Sequence, residues 1–123
     1  MELEEFERVA QEAFDALPQE LQNRVENLHI VIEEQPGMEI VRRMHLPSAA
    51  SLLGLYEGIP LTRRSTSYGV YPVVPDKITL YRTNITRVAR TDERIRDAIR
   101  DVLIHEIAHH YGMNEEQIRD AGY

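Results

Sequence analysis

Apolar side chains recur at spacings of three and four through the opening of the chain, at Leu3, Phe6, Val9, Ala10, Ala13, Phe14 and Leu17. That is the stripe of an amphipathic helix over about residues 2–17, and Pro18 stops it because proline has no N–H to give the preceding turn. Pro18 does fit the first turn of a second, short helix over residues 18–25. The period then changes. Leu28-His29-Ile30-Val31-Ile32 is rich in β-branched residues and predicts a strand buried on at least one face, closed by Pro36-Gly37. Residues 38–44 read as a further strand of weaker alternation. Lys77-Ile78-Thr79-Leu80-Tyr81-Arg82 is the second clear strand, and residues 70–74 are placed to pair with it across Pro75-Asp76.

Between these strands, residues 46–76 carry Pro47, Pro60, Pro72 and Pro75 with Gly54, Gly58 and Gly69 among them. So long a connection in so small a chain predicts a functional loop, here part of a cleft wall. The last pattern is the broadest. Thr91 is placed to cap a long helix reaching about Tyr111, with Asp92 and Glu93 in the first turn, where the helix dipole favours negative charge. Ile95, Ala98, Ile99, Val102 and Leu103 then give that helix a wide apolar face.

The order helix, strand, loops, strand, helix predicts an α+β fold. A small mixed or antiparallel sheet would pack on the N-terminal helix and on the C-terminal helix that carries the chemistry. At 123 residues, without repeat or linker, residues 1–123 are expected to form a single domain.

Charge and cysteine content narrow the chemistry. Against 14 Lys and Arg stand 21 Asp and Glu, a formal net charge of −7 that repels a polyanion, so no nucleic-acid partner is expected. With no cysteine, disulfides and thiolate metal sites are excluded, and any metal must be held by His and carboxylate. The acidic, amphipathic start is unlike a signal peptide, and no apolar run approaches the roughly 18 residues of a membrane span. A cytoplasmic setting without membrane contact is the expectation.

The long helix continues into His105-Glu106-Ile107-Ala108-His109, an HExxH motif. On a helix, residues four apart lie one turn above each other, so both imidazoles can grip one ion. Glu106 lies about 100° round from His105, which sets its carboxylate beside the ion's open position, where a general base for the attacking water must stand. His110 points away from His109 and is expected at the surface or behind the ligands. His29 and His45 are isolated and read as ordinary histidines. Two histidines leave zinc one protein ligand short. Gly112 can take positive φ and turn the chain, after which Glu115, Glu116 and Asp120 follow in quick succession. Written out, the pattern is HExxHxxGxxE, with Glu115 in the last place and Glu116 in reserve.

This pattern resembles the metzincin arrangement, in which the glycine lets the chain swing a third ligand under the metal. Most metzincins place His there and snapalysin-type peptidases Asp. Together with Leu52-Leu53-Gly54-Leu55-Tyr56-Glu57-Gly58-Ile59-Pro60-Leu61 and Ile78-Thr79-Leu80-Tyr81-Arg82, residues His105 to Gly112 make the chain similar to the small bacterial zincin-like metallopeptidases, the minimal zincins. The resemblance implies a zinc peptidase fold reduced to its core and a peptide or protein substrate. Metzincins also continue to a Met-turn beneath the metal. Only eight residues follow Glu115, and Met113 is too near the helix for that part, so the floor of the site must be made differently.

The leading expectation is therefore a zinc metallopeptidase with His105, His109 and Glu115 on zinc and Glu106 as base. An extended substrate would pair with the strand over residues 78–82, taken as a sheet edge. The substrate-binding side chains are not specified, and Tyr68, Tyr71, Tyr81, Tyr111 and Tyr123 are all candidates to hydrogen-bond the oxyanion. A metal-dependent ribonuclease also matches the H-x3-H-x5-ligand spacing, but the acidic balance and Glu106 count against it. The third reading is a non-catalytic metal-binding interaction module.

Overall fold

The structure is a computed structural model that describes residues 1–25, 27–58 and 76–123. Among them the chain forms α1 (Leu3–Asp15), α2 (Gln19–Arg24), β1 (Leu28–Glu33), α3 (Met38–Arg43), a 3-10 turn (Ala49–Ser51) and β2 (Gly54–Glu57). Then come β3 (Asp76–Tyr81), α4 (Arg82–Val88), α5 (Asp92–His110) and α6 (Glu115–Asp120). The three strands make one mixed sheet in the order β1-β3-β2, with β1 parallel and β2 antiparallel to β3. It packs on α1 and α5, the α+β arrangement expected from the pattern.

The core lies where the apolar stripes meet. Phe6, Val9 and Ala10 of α1, Ile78 and Leu80 of β3, and Ile95, Ile99, Leu103 and Ile107 of α5 are all buried. The α5 set steps by four residues, which keeps it on one face of the helix. Leu103 is fully buried, and truncating such a side chain to Ala costs about 2–5 kcal/mol. Pro18 supplies the N-cap of α2. Thr91 caps α5 as expected, its side chain accepting the Arg94 amide at 3.2 Å.

Three expectations are corrected. Residues 38–44 are not a strand: they form α3, opened by Gly37, with Glu39 in its first turn and Arg42 and Arg43 in its last. Those charges suit the two ends of a helix dipole, and none of the helix's residues is buried enough to enforce a strand. Within residues 46–58 the chain is not a bare loop, because the 3-10 turn and β2 occupy it. Nor is the strand over residues 78–82 a sheet edge. β3 is the central strand, hydrogen-bonded on both sides, and Arg82 already begins α4. Among the described residues it is β2 that lies beside α5 at the edge. The pairing proposed for residues 70–74 falls outside the described residues.

The turn into β2 is held from below. Fully buried Asn84 of α4 donates to the carbonyls of Ala49 and Leu52, each at 2.8 Å. Its own side-chain oxygen accepts from Gln35 and Arg87, both at 3.2 Å. Every polar atom of this amide is thus satisfied, as burial requires.

Candidate metal centre

Helical periodicity decides what each residue of the HExxH segment can do. His105 and His109 sit on the side of α5 opposite the buried row ending in Leu103 and Ile107, so their rings reach toward solvent. Glu106 is turned back toward the core and is half-buried.

The end of α5 is built to return a third residue. Tyr111 is the C-cap, and Gly112 follows with φ of 85°, a left-handed conformation that glycine adopts without strain. The Gly112 amide donates to His109 O at 2.9 Å and the Met113 amide to Ala108 O at 3.0 Å. These are the two bonds of a Schellman turn. Asn114 then opens α6 in a capping box: it accepts the Gln117 amide at 2.8 Å while Gln117 accepts the Asn114 amide at 2.8 Å. Fully buried Ile118 pins α6 to the core, which fixes Glu115 in its first turn.

As a result one Glu115 oxygen lies 2.8 Å from His109 Nε2 and 3.2 Å from His105 Nδ1. The three donor atoms all lie within 4.8 Å of one another, the set of His, Asp and Glu found so grouped among the described residues. Around tetrahedral zinc, ligand atoms at about 2.0–2.1 Å from the metal stand about 3.3 Å apart, so both contacts to Glu115 fit one ion. Two imidazoles and a carboxylate are also a donor set suited to zinc. Hydrogen bonds from His109 and then His105 hold the Glu115 carboxyl below its ordinary value. Glu116 is exposed and outside this group, and so are His29 and His45.

Glu106 stands apart from this group of donors. Its Oε1 accepts the backbone amide of Tyr56 at 3.2 Å, from the outer edge of β2. Burial raises its carboxyl above the ordinary value, outweighing the Tyr56 bond and the attraction of His109 and His105. The carboxylate is therefore held as a stronger base than one in water.

These residues line an open cleft of about 420 Å³ between β2 and α5, with Leu52, Leu53 and Gly54 on one wall and Asp101, Val102 and the HExxH side chains on the other. A groove of equal volume runs between α1 and β1, lined by Glu7, Gln11 and residues 29–32, and among the described residues it holds no comparable donor group.

Residues 25–123 match the family model described as zincin-like metallopeptidase. The chain belongs to this family. The match takes in the whole sheet, the HExxH helix and α6, so the zincin-like part of the chain lacks only α1 and α2. A comparison with curated proteins finds no match.

Among the tyrosines named as oxyanion partners, Tyr81 is buried at the end of β3, where burial pushes its phenol up to about 12. The Tyr111 hydroxyl donates to the Arg24 carbonyl, and the Tyr123 hydroxyl to Glu20 at 3.2 Å. None of these three lines the cleft. Tyr68 and Tyr71 fall outside the described residues. What the sequence reading missed is Tyr56, whose backbone makes the contact to Glu106. The paired glycines around it, Gly54 and Gly58, were the available signal.

Proposed function

We propose that the protein is a zinc-dependent peptidase in which His105, His109 and Glu115 hold the metal and Glu106 is the general base. The observation that carries this reading is the convergence of those three donors one helix step away from a half-buried carboxylate that does not join them. When bound, zinc supplies the Lewis acidity that polarises a scissile carbonyl and acidifies the attacking water.

The chain's own groups do the rest. Glu106 takes the proton of the attacking water on its carboxylate and delivers it to the leaving amine, and burial strengthens it for the first task. Of the three, Glu115 alone brings a negative charge to the metal. That leaves a formal charge of +1 on a site loaded with a divalent ion, a somewhat weaker electrophile than a three-histidine site. The cleft between β2 and α5 admits a peptide from solvent, with Leu52, Leu53 and Val102 as apolar walls.

Glutamate at position 106 suits amide hydrolysis better than phosphodiester cleavage, and the net charge of −7 disfavours an RNA substrate. The test is Glu106→Gln in zinc-loaded protein, assayed on unfolded proteins and short peptides with RNA as a second substrate. Peptide cleavage lost in the variant supports the reading, and cleavage of RNA alone would replace it.

A further inference from the structure

The face that α5 turns toward β2 is a row of residues spaced by four: Val102, Glu106 and His110. The facing residues of β2 and its end are spaced by two: Gly54, Tyr56 and Gly58. Four residues along a helix advance about 6.0 Å, and two along a strand about 6.6 Å, so the two rows stay in step over their whole length. Each pair meets. A Cβ on Gly54 would stand 2.5 Å from Val102 Cγ1, and one on Gly58 would stand 2.7 Å from His110 Cε1. Between them the Tyr56 ring stacks on His110 with centroids 3.9 Å apart and planes at 20°, and the Tyr56 amide reaches Glu106 Oε1 at 3.2 Å.

We infer that Gly54, Tyr56, Gly58 and His110 form a register lock that positions Glu106, by seating the backbone of β2 directly on the catalytic helix. The inference rests on the reading of Glu106 as base, since it is that carboxylate the lock aims. The two glycines permit the close approach, because a Cβ at either position would collide with the facing side chain of α5, so that this side chain or the strand must give way. The Tyr56–His110 stack sets the position along the helix axis. Strand pairing fixes the amide's direction: the Tyr81 amide donates to Leu53 O, so the Leu53 and Leu55 backbones face β3 and the Tyr56 N–H must face outward. Outward is where Glu106 stands.

His110 therefore differs from its neighbour His109 in what it does. It is a positioning residue that acts through the face of its ring.

The test is amide hydrogen exchange at Tyr56, followed by NMR in metal-free protein so that neither zinc nor substrate enters. Glu106→Ala removes the acceptor and should lower protection of this amide about tenfold, the loss of one hydrogen bond. His110→Ala and Gly54→Ala should lower it similarly while amides of β3 and of α5 near Ile99 keep theirs. His110→Phe, which restores a flat ring without a metal ligand, should restore protection. His110 is exposed, so its truncation leaves a folded protein even if Gly54→Ala does not. Full protection of the Tyr56 amide in Glu106→Ala, or in His110→Ala, overturns the lock. Because no turnover is measured, that failure leaves the role of Glu106 in hydrolysis standing, and a protein that cleaves nothing leaves the lock standing.

Discussion

Glu115 Oε1 lies 2.8 Å from Nε2 of His109, across a turn made by one glycine in the left-handed conformation. The contact brings a carboxylate from α6 onto two imidazoles from α5. Glu115→Ala should weaken zinc binding by more than the roughly 10- to 100-fold that loss of an outer partner costs. Glu116→Ala should leave it unchanged. Competition titration with a chromogenic chelator measures both.

The buried charge on Glu106 should carry a cost in the metal-free protein. Its folded-state pKa is raised above the ordinary 4.5, so between those two values the folded chain binds more protons than the unfolded one. Stability therefore falls as pH rises through that window, and the deficit persists above it. Glu106→Gln removes the charge and should raise the melting point at pH 7 by up to about 5 °C. Below pH 4.5 the two proteins should melt together, which thermal scans in chelator at both pH values would reveal.

Glu34 titrates in the opposite sense. The Thr83 hydroxyl at 2.7 Å and Arg82 Nε at 3.0 Å hold its carboxyl below the ordinary 4.5. Its contribution is present above 4.5 and fades as pH falls through the lowered folded-state value. The side chain is 52% exposed, so solvent screens the pair and Glu34→Gln should cost only about 0.5–1 kcal/mol at pH 7. Urea unfolding at pH 7 and pH 3, at low and high salt, should show that difference shrink with acid and with salt.

Asn84 should matter more than any surface pair. Asn84→Ala strands the carbonyls of Ala49 and Leu52 in a buried setting, at a cost of about 2–3 kcal/mol. Urea unfolding gives the value directly. A loss within 0.5 kcal/mol would mean that the turn into β2 finds other partners.

Much of the fold and of the candidate site is written in local pattern. The α1 stripe, the Thr91 cap, the strands around Ile30 and Ile78, and the spacing of His105, Glu106, His109, Gly112 and Glu115 all act within a few residues, where periodicity and turn chemistry are direct. The missed elements depend on distant partners. Residues Arg82–Val88 include two threonines and an asparagine, poor helix formers, and become helical because Asn84 and Ile85 are buried against the rest of the chain. β2 is four residues long and begins with a glycine that the proximity of Val102 and of the Thr79 carbonyl explains. The bond from Tyr56 to Glu106 joins backbone to side chain across 50 residues. An amide N–H is common to almost every residue type, so only the glycines on either side, Gly54 and Gly58, hint at the close approach.

The most direct measurement is hydrolysis by Glu106→Gln beside wild type, with zinc content determined on the same samples. The substitution keeps size and shape and removes only the base. Zinc should stay bound at one ion per chain in both proteins, while cleavage by the variant falls by about 10²- to 10⁴-fold. Equal turnover by the two proteins would contradict a catalytic role for Glu106, and zinc lost from the variant would make Glu106 a ligand instead.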